Sequence, residues 1–405
     1  MGTEHVARIL ESLHPDSSIH HYNRGDDNEE YFVVLQPGQI PIIFTLNGQA
    51  CTVNTVGSAS TYLSGVSLPR ENVQLMTIGD YTFVLNRTKA VTARSDVSPV
   101  LDNKGLVYVA YANYSFDYII YIDGVEAAKF TTPSSENVSN EKFVRTEYVA
   151  SKLLEAFELK QNPVDPVATP PQFTDFTMTQ DGNVLIVDRS SSTSYSLTTV
   201  DGADGQDLVS IRHKVTNLDT LPNRAPAGYK VQVWATGSKP ESRYWLEAEP
   251  QEGGKVTWSE SIAPGVKLGW DASTMPHVLV RESINPDGTA VFTYRPGEWE
   301  DRDVGDDLTN DFPSMYNADS PQAISSMLMV QNRLVFTSNE AVIASRTSRF
   351  FDFFRYTVLA TIDTDPFDVF ADIEEVYNIR WSAQMDGDIV LFTSDQQFIL
   401  PGDKP

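Results

Sequence analysis

Five turn dipeptides constrain this chain more than any other feature: Asn47-Gly48, Asp123-Gly124, Asp181-Gly182, Asp287-Gly288 and Asp386-Gly387. An Asn-Gly or Asp-Gly pair tolerates positive φ, the backbone geometry whose twist suits two antiparallel strands. The flanking residues match that requirement. Ile40 to Phe44 and Ala50 to Val53 surround the first pair, and Tyr118 to Ile122 precede the second. Val184 to Val187, Ala290 to Tyr294 and Ile389 to Phe392 follow the other three. β-Prone runs bounded by such turns predict an all-β skeleton.

One stretch departs from it. Glu141 to Leu159 contains no Gly or Pro, and Val149, Leu153, Leu154 and Phe157 recur at helical spacing. Asn140 is the expected N-cap, with Glu141 in the first turn to suit the helix dipole. Pro163, Pro166, Pro170 and Pro171 then forbid continuation. Residues 96–265 therefore read as an α+β unit.

Either side of it the sequence repeats itself. Leu334 to Glu340 leads into Ala341 to Ile343, and Val390 to Gln396 leads into Gln397 to Ile399, 56 residues later. A weaker copy runs from Tyr81 to Arg87 before Ala90-Val91. Strand-turn-strand repeats at such spacing suggest propeller-type blades, each unable to bury its apolar face alone. The expected fold class is mainly β: a partial β-propeller-like body at 1–95 and 266–405, with the 96–265 unit inserted, a tolerated event at an exposed turn.

Composition narrows the function. Apolar residues make 41% and charged residues 21% of the 405, ordinary globular values. No apolar run approaches the roughly 18 residues of a membrane helix, and no secretory segment opens the chain, so no membrane insertion is expected. Cys51 is the single cysteine and reads as strand filler. With 30 basic against 55 acidic side chains the formal charge is −25, which argues against a protein that holds nucleic acid by neutralising phosphates. An acidic wall that keeps a passing duplex from sticking is compatible with it, as is charge that serves solubility alone.

No nucleophile elbow, P-loop, zinc-protease or dinucleotide fingerprint is present. His20 and His21 fall on opposite faces of a strand, which suits no joint metal site. The Asp201 to Asp207 loop looks like a calcium loop but has Arg212 where the bidentate Glu belongs, so it reads as a turn. Asp363 to Pro366 reads as a turn before Phe367. The densest acidic run holds Glu298, Glu300, Asp301, Asp303, Asp306 and Asp307, with Asp311 beyond. A solvated loop with Arg302 and Gly305 as punctuation, a channel-facing or gate loop, a Ca²⁺ site and a carboxyl pair for glycoside hydrolysis are the readings open to it. No cofactor is expected.

Five collinear stretches resemble the tail tubular B, or nozzle, family of short-tailed phages (Autographiviridae). They are Thr77 to Arg87, Leu221 to Tyr229, Met275 to Arg281, Gln331 to Phe336 and Ser345 to Phe353. The resemblance implies a virion structural subunit and not an enzyme. It implies a homo-hexameric ring beneath the adaptor (tail tubular protein A) and portal, with tail fibres docked nearby and genomic DNA passing through without specific binding. It also implies a propeller-like body carrying a platform domain, and a channel that opens on host contact. Family members are nearly twice as long, with a segment preceding Gly2 here, and Leu400 to Pro405 falls within the β-body; the chain is expected to be partial. The alternative is a tail protein that binds or hydrolyses glycans, using the aromatic and acidic residues around Trp299 or Tyr244-Trp245.

Overall fold

The computed structural model describes residues 5–25, 29–100, 103–370 and 378–402; Gly2 and residues 403–405, named above, lie outside them. The described residues are mainly β, in seven sheets.

Four of the five predicted turns close antiparallel hairpins: Asp117–Ile122 with Val125–Thr131, Phe176–Asp181 with Val184–Arg189, His277–Ile284 with Ala290–Pro296, and Trp381–Met385 with Asp388–Phe392. The fifth turn forms but does not make a full hairpin. After Asn47-Gly48 the chain makes one antiparallel bridge, Phe44 to Ala50, and then leaves. Its next strand, Thr52–Thr55, runs parallel to Val291–Tyr294 at the edge of another sheet. That strand is mostly exposed, so edge pairing satisfies its backbone while its polar side chains stay in water.

Four sheets stack face to face. Ser18–Asn23, Glu30–Leu35 and Ile42–Thr45 form the first. The second has the order Thr52–Thr55, Ala290–Pro296, His277–Ile284, Tyr81–Asn86, Val73–Ile78. The third is Ser326–Val330, Arg333–Ser338, Ala341–Ala344 and Phe367–Phe370, and the fourth is Trp381–Met385, Asp388–Phe392 and Gln397–Leu400. Successive side chains on a strand point to opposite faces, so an inner strand serves two cores at once. Val84 packs with Tyr31 and Val33 of the first sheet, while Phe83 and Leu85 pack with Leu334 and Phe336 of the third. Val335 between them faces the other way, toward Ile389 and Leu391 of the fourth. This double duty explains why Tyr81–Asn86 and Arg333–Ser338 read as nearly unbroken apolar runs.

The two strong copies of the internal echo are matching hairpins in adjacent sheets. The third copy is a strand without its hairpin: both edges of Tyr81–Asn86 are already paired, and Ala90 makes only a bridge to Ala323.

Tyr81–Asn86 and His277–Ile284 are neighbours in the second sheet. The chain between them runs through three other sheets and the helix Thr146–Gln161. Val149, Ala150, Leu153 and Phe157 bury the helix face against Val107, Ile120 and Leu185. The sheet of Phe176–Asp181, Val184–Arg189, Lys104–Val109 and Leu208–Ile211 packs its other side through Leu106 on Tyr229, Val231 and Leu246. The helix starts later than the sequence suggested. Asn137, not Asn140, caps a 3₁₀ segment, Val138–Val144, by accepting from the Ser139 N–H. Arg145 is extended, and the α-helix then runs from Thr146 to Gln161. Asn137 satisfies the first orphan N–H, so the backbone tightens there before the apolar face can set the α period. No helix among the described residues is long and apolar enough to cross a membrane.

Candidate functional site

The acidic run is a folded seam, built outward from residues that cannot be in solvent. Trp299 is buried among Phe336, Phe351 and Phe353, and its indole N–H donates to the Pro276 carbonyl at 3.2 Å. It presents no free face to a sugar ring. Arg302, read from sequence as loop punctuation, is also buried. Its guanidinium donates to the carbonyls of Asn310 at 3.0 Å and Lys267 at 2.8 Å, and to Asp307 at 2.8 Å. A guanidinium carries five donors in a fixed fork, so one side chain can tie its own loop, at Asp307 and Asn310, to the passing segment at Lys267.

Gly305 brings the run into contact with the middle region. Its N–H donates to the Ser261 carbonyl at 3.2 Å, and its own carbonyl accepts from the Ala263 N–H at 2.7 Å. The residue has φ of 80°, and an added Cβ would stand 2.8 Å from Asn310 Cβ. Gly305→Ala is therefore expected to lower stability by about 2 kcal/mol, left-handed backbone and overpacking together. Urea unfolding checks it, and a loss within about 0.5 kcal/mol of zero would refute this account of the turn.

Charges lock the same seam. Asp301 accepts from Arg94 at 2.7 Å, and Asp306 pairs with Arg243 at 3.2 Å. From the middle region's side, the Glu260 carboxylate accepts from the Thr357 hydroxyl and the Val358 N–H, each at 2.6 Å. Glu298 pairs with Arg295, and Glu300 with Arg349. Burial pushes Asp306 up, but the N–H groups of Leu308 and Thr309, the Thr309 hydroxyl and Arg243 outweigh it, and its pKa ends below the usual carboxylate range. Among the described residues Asp303 alone in the run has no hydrogen-bonding or ion-pair partner. Desolvation, then the nearby charges of Asp301, Asp352 and Glu300, raise its pKa.

Asp301 and Asp303 line a cleft of about 530 Å³ with Glu260, Arg346, Asp352 and Arg355. Arg346 and Asp352 pair at 2.8 Å. Asp301 is likewise held by Arg94 and Glu260 by Thr357 and Val358, so of the cleft's carboxylates only Asp303 has no partner among the described residues. The arrangement is suited to clamping two parts of the chain together.

The other candidates are brought to different places. His20 bonds Thr77 at 3.0 Å and His21 bonds Glu30 at 3.2 Å, on opposite faces of their strand. The Asp201 carboxylate accepts from the N–H groups of Ala203, Gly205, Asp207 and Leu208, so backbone occupies the oxygens a Ca²⁺ ion would need. Cys51 is half-buried, and burial raises its thiol pKa. Tyr244 and Trp245 are half-buried on one strand. Among the described residues no group of three His, Cys, Asp or Glu is placed to hold a metal. Sequence reading missed the seam's partners: Arg94 lies 207 residues from Asp301 and Glu260 lies 98 from Val358, and no local pattern marks such pairs.

A family profile described as bacteriophage nozzle protein matches residues 1–405. The chain is similar to the tail tubular protein gp12 of Escherichia phage T7, with 27% identity over 393 residues. That alignment covers 94% of this chain and 45% of the phage T7 protein, so the chain spans about half the length of the curated relative it matches.

Proposed function

We propose, from the premise that the chain belongs to the bacteriophage nozzle protein family, that it is a structural subunit of the phage tail tube, carried in the virion and assembled in the host cytoplasm. Six copies form a ring that abuts the adaptor, tail tubular protein A, and offers a docking surface to the tail fibres. Genomic DNA passes through the ring without being bound in a sequence-specific way. The whole-length family match is the observation that carries this reading.

The physical features support it. A net charge of −25 gives a wall that repels phosphates at short range, within a Debye length of about 8 Å. The four stacked sheets are what a blade-type body requires, and we assign residues 1–95 and 266–405 to it, with 96–265 inserted. The outer face of the fourth sheet supports further stacking: Met385 and Ile399 are exposed there. For the acidic run, the exposed carboxylates of Glu298, Glu300, Asp303 and Asp307 are the ones available to a channel or gate, with Asp301 and Asp306 as the anchors that hold the loop to its seam.

Electron microscopy of the protein mixed with its cognate adaptor ring tests the proposal. Six-fold density beneath the adaptor is the expected result. Absence of any such ring, with this chain and with a version extended to the family's length, would overturn it. Glycan hydrolysis abolished by Glu298→Gln or Asp301→Asn would do the same.

A further inference from the structure

Where the second, third and fourth sheets meet, a cleft of about 510 Å³ is lined by Glu71, Asn72, Arg87, Asn339, Arg380 and Trp381. Most arginines of this acidic chain sit against carboxylates, as Arg24, Arg94, Arg224, Arg302 and Arg346 do. Arg87 and Arg380 differ: among the described residues neither has a carboxylate in ion-pair contact. Arg87 is nonetheless held still. Its guanidinium carbon lies 3.4 Å from the Trp381 ring centroid, and Nη2 donates to Gln74 Oε1 at 3.1 Å. Gln74 is itself fixed by the N–H and carbonyl of Met327, at 2.9 and 2.7 Å. Arg87 Nε is buried with no acceptor. Burial lowers the Arg87 pKa to about 10. Glu71 lines the same cleft, yet it reaches Arg87 only through its backbone carbonyl, which accepts from Nη1 at 3.5 Å, so a ligand carboxylate would improve the balance of a partly desolvated cation.

We propose that this cleft is a receptor for a carboxylate side chain presented by an abutting protein chain. The charge balance selects the ligand. Among the described residues, two arginines and Glu71 give the lining one net positive charge, matching a monoanion better than a phosphate dianion. The planar guanidinium forks suit the two oxygens of a carboxylate, and the amides of Asn72 and Asn339 add neutral donors. A nucleic-acid strand would bring one negative charge per nucleotide into the field of a chain with net charge −25, whereas a single carboxylate brings only one.

The test uses the full chain and trifluoroacetate as a monoanionic probe, followed by fluorine NMR at fixed ionic strength. Saturable line broadening is expected, and a short peptide with a single glutamate should displace the probe. Arg380→Gln, at an exposed position, should weaken binding about five-fold or more with an unchanged melting temperature. Arg87→Lys should weaken it as well, because a lysine keeps the charge but loses the fork over Trp381. Broadening that does not saturate, or that is equal in wild type and both variants, would overturn the proposal. So would displacement by inorganic phosphate or a short oligonucleotide at ten-fold lower concentration than the glutamate peptide.

Discussion

Acidification from pH 7 to pH 4 should remove about 3 kcal/mol of stability through His277 alone. The imidazole is fully buried and stacks on Tyr62 with 3.8 Å between ring centroids. Nδ1 lies 3.0 Å from the Met275 carbonyl, which can only accept, so Nδ1 carries the proton. Nε2, 3.0 Å from the Ser58 hydroxyl, is then the acceptor. Protonation would bury a charge and leave the Ser58 hydroxyl without its acceptor. Burial therefore lowers the folded-state pKa from 6.5 to about 4; the Met275 carbonyl opposes that shift and Lys89 adds to it. In the unfolded chain the ring binds its proton near 6.5, while the folded chain waits until about 4. The contribution is thus complete above 6.5 and lost as pH falls through that interval. Urea unfolding at pH 7 and pH 4, on wild type and His277→Phe, checks it. The variant's own loss between the two pH values should be smaller by about 2–3 kcal/mol, and equal losses would remove His277 as the cause.

Arg302→Met should cost about 3 kcal/mol or more, the largest effect expected from any charged residue of the acidic run. The substitution leaves the buried carbonyl of Asn310 and the partly buried one of Lys267 without this donor, and it loses the contact of the guanidinium with Phe312 at 5.2 Å. Asp307 is different, because its side chain is 66% exposed and can be rehydrated. Asp307→Asn should therefore cost less than about 1 kcal/mol. Chemical denaturation of the two variants separates the contributions. Equal costs would mean that the ion pair, and not the satisfied backbone, holds the seam.

Short-range features of this chain are legible in its sequence and long-range ones are not. Four hairpins were legible because a turn needs only two residues of suitable backbone and alternating neighbours. Asn47-Gly48 misled as a full hairpin because the choice between pairing locally and pairing with Val291–Tyr294 was made some 240 residues away. The helix body was legible from Val149, Leu153 and Phe157, but its start was not, since the Asn137 cap competes with Asn140 on equal chemistry. In the acidic run the density of carboxylates was visible while its meaning was not. Asp301 and Asp306 look alike in sequence to Glu298, and only Arg94 and Arg243, from distant segments, make them anchors. His277 was visible only as one letter of a Met-Pro-His-Val stretch, because nothing local distinguishes a buried neutral histidine from an exposed one.

The adjacency of Tyr81–Asn86 and His277–Ile284 bears on how the protein is made. Roughly 190 residues must be synthesised between the two strands. At about 5–20 residues per second, one edge of Tyr81–Asn86 waits on the ribosome for about 10–40 s, with Phe83 and Leu85 uncovered. A middle region that collapses promptly shortens the exposure. Its ends meet in the bridges Ala93 to Trp270 and Val97 to Lys267, which convert a long loop closure into a short one. The yield of soluble protein should then follow the folding rate of the middle region more closely than the strength of the finished stack. Chaperones that shield single strand edges should matter most during that interval.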